Sequence, residues 1–496
     1  MEKNTQNSEK YKVGLCHGVF DIIHAGHIEH LKFAKSMVDH LIVSITADEY
    51  VNKGPGRPTQ TSNRRSSVLE SLKFVDEVYV NTNSTSIEVI KKFCPKYYFK
   101  GKEYFNESDD ITGMITLERE AIESVGGKII FTDGFTDSSS RIISSAGITN
   151  FNKKQTEYLD IIKKEAIKFE DIETNFFNKL NKIELVVFGE PIIDIYTTCR
   201  PLNMSSKNPI VSVEEMSTQE QFGGTLAISK AASELGCDVT QLLYQTDKTY
   251  LEKIINELKK SKVKIHLCDT EQIQIPIKKR YLSDYKQIKM FEISKIDSVG
   301  CKKADLSLID KYLHSDSVKS KLIFGMNFGH GLWDNVSINL PDINFHALNI
   351  QTNSENFGFN TAINSKTGSN ILTLDEKEMR LAVSDRYSDL EDIFVKFKNM
   401  YPKFEDVVLT AGNRGSFFMH NGKLYNCPAF ASEVIDPIGS GDAFYLMYSL
   451  CRALKISPIL SNFMSNIYAA EHTRISGNSL VVELSVIKKS LKYLLK

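Results

Sequence analysis

The chain has 496 residues, 42% of them hydrophobic and 25% charged, and a formal net charge of −1 at pH 7. That length predicts two or three domains, and the near-zero charge excludes a basic field that would hold nucleic acid. No apolar run is long enough to span a bilayer and the polar opening MEKNTQNSEKYK is no signal peptide, so a cytoplasmic protein with no membrane partner is expected.

Strand and helix patterns alternate from the start. "KVGLCHG" reads as a buried strand, "HIEHLKFAKSMV" as a helix, "DHLIVSIT" as a second strand, "RRSSVLESLKFV" as a helix and "DEVYV" as a third strand. "SIEVIKKF" is helical, and "KYYFKG" and "KIIFTDG" are extended. This βαβ series predicts an α/β first domain over 1–150, with a parallel sheet and helices on both faces. Residues 151–182 contain no glycine or proline, and Leu159, Ile162, Ala166, Phe169 and Ile172 recur at helical spacing. An amphipathic helical connector follows, which either caps a domain core or pairs two chains. At 183 the pattern restarts with "IELVVFGEPIIDIY", and a larger α/β domain covers 183–496. The eight cysteines are scattered with no CxxC pair, which fits free thiols in a reducing compartment.

The passage from the first strand into the first helix reads "GVFDIIHAGHIEH". A glycine turn at a helix N-terminus presents backbone N–H groups to an anion. His24 and His27 add donors for phosphate oxygens, and Gly26 lets phosphate approach the backbone. Nucleotidyl transfer needs a held triphosphate, an aligned nucleophile and stabilised charge more than covalent help. The plain alternative is a pair of surface histidines on a loop, and for His30 that is the expectation.

The stretch resembles the signature G-x-F-D-x-x-H-x-G-H of cytidylyltransferase-like nucleotidyltransferases, carried here by Gly18, Phe20, Asp21, His24, Gly26 and His27. The following segment, "DHLIVSITADEYVNKGPGRPTQTSNRRSSVLESLKFVDEVYV", is similar to bacterial ADP-heptose synthases. The resemblance implies a Rossmann-like nucleotidyltransferase domain in which Gly18, Phe20, Gly26 and the two histidines meet the nucleotide. It implies that Lys53 offsets charge on the α-phosphate and the leaving pyrophosphate, and that Arg65 clamps a phosphate. Lys100 would reach base, ribose or acceptor phosphate, and Ser138, Ser139 and Ser140 would meet the triphosphate at another helix start. Asp21 only shapes the turn. Mg²⁺ is implied as the companion of the triphosphate.

Near the C-terminus, "VIDPIGSGDAFYLMYSL" places Gly439, Ser440, Gly441 and Asp442 before an apolar helix. Small residues let N–H groups converge on phosphate, and Asp442 can take a proton from a hydroxyl: an anion hole beside a general base. From about 184 to 490 the chain resembles ribokinase-like carbohydrate kinases. Their D-T-x-G-A-G-D motif matches residues 436–442, and "VVLTAGNRGSFF" supplies Thr410, Gly412 and Gly415 on the nucleotide side. The resemblance puts Asp194, Gly223 and Gly224 at the sugar. Lys278 and Arg280 of "IPIKKRYL" would suit a substrate already carrying a phosphate. There are departures: Ala227 stands where that family has asparagine, "DEKE" (375–378) replaces Asn-x-x-Glu, and Asn327–Gly331 replaces Asp-Tyr-x-x-Gly. Glu378 is therefore tied to Mg²⁺ only indirectly, and "NIQTNSENFGFN" (349–360) has no placeable counterpart.

Together the halves resemble bifunctional heptose-7-phosphate kinase/heptose-1-phosphate adenylyltransferases in reversed domain order. The expectation is an enzyme using ATP (or CTP), Mg²⁺ and a sugar phosphate to make an activated heptose for lipopolysaccharide or capsule, pairing as a homodimer. One alternative is a cytidylyltransferase for a polyol or alcohol phosphate whose kinase-like domain only binds ligand. Another is a non-catalytic ligand sensor.

Overall fold

The computed structural model describes residues 11–51, 58–83, 85–101, 114–132, 151–165, 167–204, 210–285, 288–335, 340–341, 345–353, 356, 359, 368–431 and 434–495. Lys53, Ser138, Ser139 and Ser140 lie outside the described residues. The chain forms two compact units, Met1–Asn152 with Ser485–Leu494, and Lys153–Leu484. The last helix, Leu484–Leu494, thus groups with the first unit, not with the α/β region that precedes it.

In the first unit β1 (Val13–Gly18), β2 (His40–Thr46), β3 (Glu77–Asn81), β4 (Tyr97–Gly101) and β5 (Lys128–Thr132) form a parallel sheet ordered β3-β2-β1-β4-β5. Successive strand residues point to opposite faces, so neighbours in sequence enter different cores. Cys16, Val43 and Phe99 pack with Leu31, Ala34 and Leu69 on one face. Leu15, Ile42 and Tyr98 pack with Val89, Ile90 and Ile122 on the other. Full burial of each such aliphatic side chain stabilises by roughly 1.5–3 kcal/mol. The strand order reverses between β1 and β4, and a crevice outside the carboxyl ends of strands at such a point is where ligands bind.

The strands of the second unit are β6 (Glu184–Gly189), β7 (Pro191–Met204), β8 (Val211–Gly224), β9 (Asp238–Tyr244), β10 (Lys264–Cys268), β11 (Ile277–Ser283), β12 (Lys289–Lys295), β13 (Leu322–Asn327), β14 (His346–Ile350), β15 (Ser369–Asp375), β16 (Phe404–Thr410), β17 (Ser416–His420) and β18 (Lys423–Cys427). Nine form one sheet, β10-β9-β6-β13-β14-β15-β16-β17-β18, parallel through β16. Four form a second sheet, β12-β11-β7-β8.

Residues 151–182 break into helices Lys153–Lys164 and Phe169–Asn175 and a short turn of helix Phe177–Lys182. Tyr158 Oη donates to the Ile459 carbonyl at 2.9 Å and Gln155 Nε2 to that of Ala429 at 2.7 Å. Leu159, Ile162, Phe169 and Ile172 are buried, so this apolar stripe caps the second unit's core. Among the described residues no helix is long and apolar enough to cross a membrane.

Candidate active sites

The first site is built where β1 ends. Phe20 takes a left-handed backbone at φ 49°, and the chain reverses into the helix Ala25–Ser36. Asp21 clasps the turn: its buried carboxylate accepts from the Thr59 N–H at 2.8 and 2.9 Å, the Thr59 hydroxyl at 2.9 Å and the Gln60 N–H at 3.0 Å. A Cβ on Gly18 would stand 3.1 Å from the Phe20 ring, so the glycine makes room for it. His24 is the N-cap of the helix, and Gly26 is buried in its first turn. The His24 and His27 rings lie with centroids 3.9 Å apart, tilted by 32°, and the Phe20 ring backs His27 at 5.1 Å. No acidic residue occupies that first turn, so nothing there opposes an anion.

Lys100 is the penultimate residue of β4, beside β1. Its Nζ is 2.7 Å from Glu118 Oε2, while Glu118 Oε1 accepts from Ser86 Oγ at 2.6 Å and Tyr98 Oη at 3.2 Å. Two further imidazoles face this lysine. His17 Nδ1 pairs with Ser44 Oγ at 3.0 Å, and His30 Nδ1 with Thr132 Oγ1 at 2.7 Å. Burial first, and the Lys100 charge second, push His17 down to about 3 and His30 down to about 4, so both rings are neutral at pH 7. His30 is therefore not the loop-surface histidine expected, because helix Ala25–Ser36 carries it onto the rim of β5. His17 and Glu118 were not singled out in the sequence. The only signal for His17 was a polar residue at the end of an otherwise apolar strand.

Arg65, expected at a phosphate, sits in helix Ser62–Glu70. Its side chain is fully buried and bonds the carbonyls of Gln60 (3.0 Å), Val19 (2.5 Å) and Thr46 (2.8 Å) and Asp48 Oδ1 (2.6 Å). The guanidinium fork is spent on joining the turn after β1 to the end of β2.

The second site is a cleft of about 320 Å³ lined by Gln351, Glu378, Thr410, Gly412, Ser440 and Asp442, among others. Gly439 is the N-cap of helix Ser440–Ala453 at φ 81°, where a Cβ would come within 2.7 Å of His472 Nε2. A Cβ on Gly441 would meet nothing within 4 Å, so the space in front of this helix start is open. Asp436 holds the preceding loop, accepting from the N–H groups of Ile438 and Gly477 at 3.0 Å each and from Lys289 Nζ at 2.7 Å.

Asp442 sits in the first turn. Its Oδ1 accepts from Gln351 Nε2 at 2.7 Å and Asn349 Nδ2 at 3.1 Å; among the described residues its Oδ2 accepts nothing. Burial pushes this carboxyl up to about 7; the Asp194 charge adds to the rise, and Gln351, Lys278 and Asn349 oppose it. Neither amide was foreseen, because both lie in or at the edge of the stretch without a recognisable counterpart.

Glu378 Oε2 accepts the Asp375 N–H and Asp375 Oδ1 the Glu378 N–H, each at 2.6 Å, which is a capping box on the helix Glu376–Ala382. Aspartate serves at that N-cap as well as asparagine would, so this departure leaves the local structure intact. Glu378 Oε1 also accepts the Thr352 N–H at 2.6 Å; burial and then Asp375 push its carboxyl up to about 8. Among the described residues no three His, Cys, Asp or Glu side chains are grouped to hold a metal.

On the acceptor side, Gly224 has φ 60°, and a Cβ on Gly223 would stand 2.2 Å from Asp194 Oδ2. Asp194 is paired with Arg280 Nη1, and Arg280 Nε reaches Glu292 Oε2 at 2.8 Å. Arg280 thus has two carboxylate partners, Asp194 and Glu292. Lys278, which registers with Asp194 across β11 and β7, is the cation whose charge reaches Asp442. Ala227 lines a separate cavity of about 30 Å³ with Gly439, Asp442 and Asn478, room for about one water.

Residues 15–208 match the cytidylyltransferase-like family and residues 346–446 the pfkB family of carbohydrate kinases. The chain therefore carries a nucleotidyltransferase-like part followed by a ribokinase-like part. It is 36% identical over 124 residues to the bifunctional protein HldE of Caulobacter vibrioides, covering 25% of this chain and 24% of that one. With HldE of Shewanella sediminis it is 38% identical over 132 residues, 26% of each. The chain thus spans about a quarter of the length of these curated relatives. The crystal structure of Escherichia coli phosphofructokinase-2 in complex with potassium aligns with 63% of this chain and 99% of its own, at 12% identity and a TM-score of 0.49.

Proposed function

We propose that this chain makes a nucleotide-activated sugar, a heptose, in two ATP-dependent steps. In the kinase half, Asp442 takes the proton of the anomeric hydroxyl of a sugar phosphate as that oxygen attacks the γ-phosphorus of ATP, and ADP leaves. In the transferase half, an oxygen of the resulting sugar 1-phosphate attacks the α-phosphorus of ATP, and pyrophosphate leaves. Bound Mg²⁺ supplies charge neutralisation on the transferring phosphates. His24 and His27 donate to the nucleotide phosphates, with Lys53, Ser138, Ser139 and Ser140 completing that site by the same resemblance. Gly439, Ser440 and Gly441 receive phosphate at the helix N-terminus.

The observation that carries this reading is Asp442: a carboxylate poised near neutrality with one oxygen bare, at the mouth of a cleft of nucleotide size. A cytoplasmic homodimer completes it. The exposed apolar side chains of Leu202, Met204, Val211, Phe291 and Ile293 on the four-stranded sheet support self-association there. The Asp194–Arg280 pair and Ala227 favour one alternative: a cytidylyltransferase for a polyol or alcohol phosphate, whose second half binds ligand without phosphorylating it.

The test is pyrophosphate release with Mg²⁺, crossing ATP and CTP against heptose 1-phosphate and glycerol or ribitol phosphate. It is joined to ATP-dependent phosphorylation of heptose 7-phosphate by the unaltered chain and by Asp442→Asn. Release with ATP and heptose 1-phosphate, plus a kinase activity lost only in Asp442→Asn, is expected. Release with CTP alone, and no kinase activity, would move the protein to the alternative.

A further inference from the structure

Among the described residues Asp442 is held from one side only. Two neutral amides, Gln351 Nε2 at 2.7 Å and Asn349 Nδ2 at 3.1 Å, converge on the same oxygen, Oδ1. Both come from the end of β14, whose backbone is fixed in turn: the Gln351 N–H donates to the Asn327 carbonyl at 2.8 Å, and the Thr352 N–H to Glu378 at 2.6 Å. A carboxylate on a single Cβ–Cγ bond otherwise rotates broadly. Two donors on one oxygen fix that rotation and leave Oδ2 as the acceptor with a free lone pair.

We infer that Gln351, assisted by Asn349, is the positioning residue that turns Oδ2 of Asp442 toward the acceptor hydroxyl. The inference rests on the kinase reading above. Among the described residues these charged or titratable groups surround Asp442: Asp194 from β7 and Glu378 from helix Glu376–Ala382 disfavour its charge, Lys278 from β11 favours it, Tyr445 lies one turn along its own helix, and Lys230 and His472 line the small cavity it shares with Gly439. The amides are the uncharged contribution on the favourable side, and the shorter bond makes Gln351 the larger of the two.

The test compares the unaltered chain with Gln351→Met, which fills the space without a donor, and Gln351→Glu, which adds a like charge. With ATP and heptose 7-phosphate, kcat is expected to fall about 10- to 100-fold in Gln351→Met while the KM for ATP stays within about two-fold. The acid limb of the pH–rate profile should move upward in the order Gln, Met, Glu. A circular-dichroism melt of the second unit's transition, unchanged in both variants, reports that this unit is folded. A fall in kcat with no ordered movement of the acid limb would overturn the inference. If the unaltered chain phosphorylates no acceptor, the kinase reading fails by itself. The positioning is then read from the side-chain ¹³C titration of Asp442, assigned with Asp442→Asn. An upward shift in Gln351→Met sustains the inference, and an unmoved titration overturns it.

Discussion

Arg280 on β11 donates to the carboxylate of Asp194 on the adjacent strand β7, and both side chains are almost wholly withdrawn from solvent. A buried pair of this kind is costly to break from one side, because the survivor keeps its charge without a partner. Arg280→Met is expected to destabilise the second unit by roughly 3–5 kcal/mol. The double change Arg280→Met with Asp194→Leu should recover most of that loss, since Glu292 is left closer to solvent. Denaturant unfolding of the three proteins measures it. Equal stability of the single and double variants would show that Asp194 is not held by this arginine.

Arg65 makes a parallel case in the first unit, where its guanidinium joins Val19, Thr46, Asp48 and Gln60. Arg65→Lys keeps the charge but cannot reproduce the fork. We expect it to lower stability by about 2–3 kcal/mol, since hydrogen bonds to a charged group contribute about that much. The Michaelis constant for the nucleotide should move little at temperatures where the variant stays folded. A raised constant at unchanged stability would restore the phosphate-clamp role.

The buried imidazoles predict a pH dependence. His17 and His30 titrate at 6.5 when exposed, but at about 3 and about 4 in the fold. Below about pH 6.5 the unfolded chain takes up protons that the folded chain refuses. Stability present above that value is therefore lost as pH falls toward 4, by up to about 1.4 kcal/mol per pH unit for each histidine. Urea midpoints across pH 4–7 should show this slope, and His17→Gln with His30→Asn should flatten it.

Gly439 and Gly441 should separate folding from binding. Gly439→Ala meets both the positive φ and the His472 ring, so it is expected to lower stability by about 1–3 kcal/mol. Gly441→Ala meets nothing, so its melting temperature should stay put while its methyl occupies the approach to the helix N–H groups. Its KM for ATP should rise about ten-fold or more, as expected when close backbone approach to phosphate is blocked. Unchanged ATP kinetics in Gly441→Ala would remove phosphate from that helix start.

The local motifs were legible in the sequence because their parts are contiguous. Strand alternation placed Leu15 and Cys16 in different cores, a helix start set the His24 and His27 rings side by side, and a glycine at positive φ put Asp442 in the first turn of its helix. The capping box of Asp375 and Glu378 is equally local. What those residues touch was decided elsewhere. Asp194 and Arg280, 86 residues apart, are brought together by strand order, and Asn349 and Asp442, 93 apart, by helix Ser440–Ala453 lying against β14. An isolated arginine in a sequence looks the same whether it waits for a phosphate or is consumed by carbonyls. Backbone conformation follows from a few neighbouring residues, whereas the partner of a charge follows from which strands and helices the closed fold sets beside it.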